Sequence, residues 1–159
     1  MRYSSVAPVL LVLCAGALAS CQKESPPAEA APDGIPGVSA SNARLVLPAV
    51  KGNPGVIYFD IINAGDEFVA MRTVEVAAAK QTMMHETVTQ NGQTTMAAMA
   101  PLTLNKGEPV KFEPGGKHVM AMDLDPALKA GDTTEVTVTF AGGDKMSFPA
   151  TVEAPGSAN

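Results

Sequence analysis

Residues 83–122 read MMHETVTQNGQTTMAAMAPLTLNKGEPVKFEPGGKHVMAM, and the dipeptide Asn91-Gly92 within them decides the local architecture. It is flanked by residues 82–89 and 93–98, rich in threonine and methionine, and Asn-Gly between two such runs is the strongest short-range signal for a two-residue β-hairpin turn. A hairpin closed there places Gln90 opposite Gln93, Thr87 opposite Met96 and His85 opposite Ala98. His85 and Met96 then become diagonal neighbours on one face, with α-carbons roughly 7–8 Å apart. Further along, His118 and Met120 are two residues apart, so a strand points both to the same side. Pro114-Gly115-Gly116 supplies the turn that leads into that strand.

The side chains so gathered share a chemistry. Both histidines of the chain lie in this stretch, with six of its nine methionines. Imidazole nitrogen and thioether sulfur together suit a soft cuprous ion, whereas Zn, Mg, Ca and Mn bind thioethers poorly. Four neutral donors, His85, Met96, His118 and Met120, therefore form a candidate Cu(I) site. A methionine in a strand is ordinarily core filler and a single histidine is ordinarily just a hydrogen-bonded side chain. Here the only two histidines each sit in a Met-rich strand, which reverses that expectation. Met83, Met84, Met99 and Met122 are expected to pack in the core or behind the ligands, with Met122 the nearest of them to the ion. Glu86 either supports His85 or points into solvent on the opposite face.

The spacing of these residues, His85, ten residues, Met96, twenty-one residues, His118-Val119-Met120, resembles the H-x10-M-x21-H-x-M pattern of the PCuAC family of periplasmic copper chaperones. Gly55 to Glu67 is similar to the family's early strand and turn, Pro114-Gly115-Gly116 precedes the second histidine as it does there, and Leu128 to Asp132 resembles the loop before a late strand. The resemblance spans about residues 43–152. It implies a cupredoxin-like Greek-key β-sandwich or barrel and one Cu(I) held by His85, Met96, His118 and Met120. It also implies a role in supplying copper to the dinuclear centre of cytochrome c oxidase, with an oxidase copper-site subunit or another copper chaperone as partner. Thr87 stands where a methionine is often found in the family, and Ala43-Arg44-Leu45 lacks its usual aromatic residue. The tail from Glu153 to Asn159 has no histidine or methionine, so a second, cupric site of the kind some members carry is not expected.

The N-terminus has a different purpose. Arg2, an apolar run from Val6 to Leu18, and Leu18-Ala19-Ser20-Cys21 have the form of a secretory signal. The run is too short for a transmembrane helix. Its last four residues resemble a bacterial lipobox, which implies cleavage before Cys21 and lipid attachment to its sulfur. Residues 1–20 are thus read as signal peptide and 21–41 as a lipid-anchored tether, rich in Pro, Ala and Glu and with almost no apolar residue to bury. This places the domain in the periplasm, and Gln22 after the cysteine leans weakly towards the outer membrane. Of the two cysteines, Cys14 leaves with the signal and Cys21 is acylated. No thiolate then remains for a blue-copper electron-transfer site.

Residues 42–153 are read as one all-β domain and 154–159 as a flexible tail. Strand patterns recur at 44–47, 56–62, 68–76, 110–112, 118–124, 134–140 and 146–152, with turn residues between them, as in a sandwich or barrel. Ala77 to Ala79 and Pro126 to Lys129 are each expected to form a single helical turn. The formal charge of −5 becomes −6 once Arg2 is removed, with no basic stripe to fit nucleic acid. There is no Ser-His-Asp order, no phosphate-binding Gly-rich loop and no HExxH, so the sequence points to a carrier and not to an enzyme. A copper-buffering lipoprotein without a dedicated acceptor is the alternative.

Overall fold

The structure, a computed structural model, describes residues 34–157. The signal segment, Cys21 and most of the expected tether lie outside the described residues. Ten strands lie among the described residues: β1 (Val38–Val46), β2 (Gly55–Asn63), β3 (Val69–Val76), β4 (Ala79–Gln90), β5 (Gln93–Ala98), β6 (Leu102–Leu104), β7 (Val110–Phe112), β8 (Lys117–Leu124), β9 (Thr133–Phe140) and β10 (Lys145–Glu153). They form one sheet in the order β5-β4-β8-β7-β2-β1-β10-β9-β3-β6, with β8 also pairing β2. The fold is all-β and cupredoxin-like, as the strand patterning and the family resemblance lead one to expect.

Alternation of side chains decides which face is inside. In β2, Ile57, Phe59 and Ile61 are buried while Val56, Tyr58, Asp60 and Ile62 are only partly so. In β9, Val136, Val138 and Phe140 point inward in the same way. The sheet curls so that these inner faces share a single core, which also takes in Leu45, Met71, Val74, Met84, Val119 and Val152. Phe59 stacks on Phe112 with centroids 4.4 Å apart, and reaches across to Phe148 of β10 at 5.4 Å. Each such phenylalanine stabilises the fold by an amount that truncation to alanine would reveal as about 3–5 kcal/mol. The curl also brings β3 to the free edge of β4, where the Thr82 hydroxyl donates to the carbonyl of Val74.

Three sequence expectations are corrected. Strand β1 begins at Val38, so residues 38–41, read as the end of the tether, pair with residues 60–63 of β2. Ser39, Ala40 and Ser41 carry no apolar face, and it is the backbone ladder that recruits them. A register shift between Ser41 and Arg44, with Asn42 at φ 55°, then realigns the strand. Neither Ala77 to Ala79 nor Pro126 to Lys129 forms a helical turn: Ala77-Ala78 is a turn that leads into β4 at Ala79, Pro126-Ala127 is a turn, and there is no helix among the described residues. In the first, the Ala78 carbonyl already accepts from the Asp125 amide and Ala79 already pairs with Leu124 in the β4–β8 ladder, so the carbonyl that would accept a helical bond is taken.

A candidate copper site on the β4, β5 and β8 face

The Asn91-Gly92 turn is present with both residues at positive φ, 51° and 75°, the conformation a two-residue hairpin of this kind requires. The observed register has Gln90 opposite Gln93, Thr87 opposite Met96 and His85 opposite Ala98, as derived from the turn alone. On its other edge β4 pairs with β8. His85 stands opposite His118, and Met83 opposite Met120. Side chains directly opposite in an antiparallel pair share a face, so His85, Met96, His118, Met120 and Met83 all lie on one side of the sheet. The opposite side carries Met84 and Val119, both buried in the core.

The two imidazoles meet edge to face, with ring centroids 5.9 Å apart and planes at 81°. Two imidazole nitrogens each about 2 Å from a common ion put their ring centroids on the order of 5–6 Å apart, so the pair is already spaced for a shared ion. His118 is buried, and its Nδ1 lies 3.0 Å from the Gly116 carbonyl oxygen. Donation of the Nδ1 proton to that carbonyl fixes the tautomer and turns the lone pair of Nε2 outward. The Pro114-Gly116 turn thus orients the His118 imidazole as well as leading into β8. His85 presents the opposite case: its Nδ1 is buried and has no hydrogen-bond partner among the described residues. An unpaired buried nitrogen is costly to a fold, and a ligand for it resolves the cost.

The surroundings keep the site neutral and accessible. Ala98, across from His85, contributes only a methyl group, and Met96 beside it is 64% exposed. Glu86 points to the face opposite the imidazoles and meets the Lys117 ammonium at 2.7 Å, which answers the open question about its role. Among the described residues no group of three His, Cys, Asp or Glu side chains comes together that could hold a metal. The donors available here are therefore imidazole and thioether, a set that fits cuprous ion and not the harder divalent cations.

Of the remaining methionines, Met84 is in the core and Met99 packs against it, as expected. Met83, expected in the core or behind the ligands, is 46% exposed and shares the face of the two histidines. The signal for this was present, because the two-residue rule that joins His118 to Met120 joins Met83 to His85 equally. Met122 shares the face of Met120 but lies opposite Gln81, farther from the imidazole pair.

The fold is shared with solved PCuAC domains. The copper-bound PCuAC domain from PmoF2 superposes with a TM-score of 0.62 at 20% sequence identity, covering 78% of this chain and 98% of that one. The Cu(I) form of DR1885 from Deinococcus radiodurans, determined in solution, gives 0.60 at 23% identity over 76% of this chain and 80% of that one. At these identities the likeness is one of fold. Residues 38–152 match the family described as "Putative lipoprotein LpqE-like", and the chain belongs to that family. "Putative lipoprotein Lxx21020" of Leifsonia xyli subsp. xyli is 33% identical over 147 residues, 90% of this chain and 83% of the relative.

Proposed function

We propose that this protein is a Cu(I) carrier that holds one ion tightly between His85, Met96, His118 and Met120, and that it is a delivery protein and not an enzyme. The observation that carries the proposal is the placement of all four donors on one accessible sheet face, with a buried His85 Nδ1 that has no partner among the described residues. The copper-bound state of one structural neighbour and the Cu(I) state of another support it. Met96, on a strand whose six residues are all exposed, closes the site from outside, so an acceptor can displace this thioether first and take the ion stepwise. Two neutral imidazoles and two neutral thioethers hold the +1 charge without trapping it.

In this reading Cys21 carries the lipid anchor in the periplasm, with the outer membrane favoured by Gln22. The lipoprotein descriptions of the family and of the Leifsonia relative support the anchor. The acceptor is the copper-site subunit of cytochrome c oxidase or another copper chaperone of similar donor chemistry. X-ray absorption on the Cu(I)-loaded domain tests the site: two nitrogens and two sulfurs are expected, and a shell without sulfur would refute it. Incubation with an apo oxidase copper-site domain tests delivery. Transfer makes the protein a chaperone, and retention of the ion would favour the buffering alternative.

A further inference from the structure

Four methionines, Met83, Met84, Met99 and Met122, line one groove along the edge of β4 that faces β3. We infer that this groove is a second, sulfur-only Cu(I) position, weaker than the first and adjoining it. The inference rests on the reading of His85, Met96, His118 and Met120 as a Cu(I) site, but it uses other side chains.

The groove exists because β5 is short. Its ladder with β4 covers residues 85–90, so the edge of β4 over residues 79–84 is left without a strand partner on that side. There β3 approaches, joined through the Thr82 hydroxyl and the Val74 carbonyl. Core filling accounts for Met84, which is 8% exposed, and for part of Met99. It does not account for Met83, which is 46% exposed and would ordinarily be polar at such a position. Met122 is likewise only partly buried. Arg72, Glu75 and Lys80 are the charged residues among those lining the groove. One carboxylate between two cations offers nothing to a hard divalent ion, whereas clustered thioethers select a soft monovalent one.

Position gives the groove its use. Met83 stands opposite Met120 on the β4–β8 ladder, so the groove ends where the His/Met site begins. An ion can pass from Met83 to Met120 by exchanging one thioether for another, and it remains Cu(I) throughout. Met83, Met99 and Met122 supply the sulfurs, with Met84 as the floor.

Anaerobic titration with Cu(I), supplied as its acetonitrile complex and read against a chromophoric chelator, tests this. The wild-type domain takes up one equivalent tightly and a second more weakly. The triple variant Met83→Leu/Met99→Leu/Met122→Leu keeps side-chain volume and should lose the second equivalent alone. Its intact first equivalent shows that it is folded. The His85→Ala/Met96→Leu/His118→Ala/Met120→Leu variant, which keeps no donor of the first site, should lose the tight equivalent and retain a weak one, with an X-ray absorption shell of sulfur only. Saturation of the wild type at one equivalent, or a triple variant that still binds two, overturns the inference while leaving the first site standing. A sulfur-only ion in the quadruple variant upholds the groove even if the tight site of the wild type proves to be built otherwise.

Discussion

Replacing Gly92 by valine tests the dependence of the copper site on a hairpin that nothing but its own ladder holds. All six residues of β5 are exposed, and its backbone partner is β4 alone. Gly92 sits at φ 75°, and a Cβ added to it meets no atom within 4 Å. The substitution therefore introduces backbone strain without a steric clash. For a β-branched residue in this conformation the strain is about 1–2 kcal/mol or somewhat more. That energy falls on the closed hairpin and leaves the core untouched, so the ratio of closed to open hairpin drops by a factor of roughly 5–30. Since the ion needs Met96 in place, apparent affinity falls by the closed fraction and by no more than that factor. Chelator competition measures the affinity, and amide hydrogen exchange in residues 93–98 measures the opening. Exchange showing the hairpin mostly open, with Cu(I) affinity unchanged, would remove Met96 from the site. A large fall in global thermal stability would show that the hairpin belongs to the cooperative core, which would refute the reasoning.

Other outcomes follow from the same geometry. His85→Leu removes a buried nitrogen that lacks a partner, so the copper-free domain should gain about 1 kcal/mol of stability as it loses tight Cu(I) binding. Chemical denaturation of the metal-free variant measures this, and a less stable variant would mean that His85 is satisfied without metal. Tyr58 is held above the ordinary tyrosine range, chiefly by burial, with the Arg44 guanidinium 5.1 Å from its ring centroid opposing the shift. A folded-state value above the unfolded one means that this contribution to stability is present below about pH 10 and is lost as pH rises through the folded value. Ultraviolet titration of a domain comprising residues 34–157 reads Tyr58 alone, because the other tyrosine is Tyr3, and an ordinary midpoint would contradict its burial. Cys21→Ser should move the protein from membrane to soluble fractions with copper binding unchanged, and a variant that stays in the membrane pellet would refute anchoring through this cysteine.

The sequence alone determined what depends on short-range rules. Asn91-Gly92 fixed the hairpin register to the residue, because the turn conformation leaves one way for the strands to pair. Period-two alternation in Val56 to Ile62 and Thr134 to Phe140 likewise announced two inward faces of an all-β fold. Only the tertiary structure decided what depends on strands distant in sequence. The β4–β8 ladder, which joins residues 79–86 to 117–124, sets His85 against His118 and brings Met83 onto the ligand face. No local pattern encodes that register, since any even shift along the ladder keeps the same alternation. The early start of β1 was equally invisible, because Ser39 to Ser41 enter the sheet through main-chain hydrogen bonds, and these are the same for every side chain. The unpartnered Nδ1 of His85 and the methionine groove exist only where the curled sheet leaves atoms without a neighbour, a property of the packed chain and not of any segment in it.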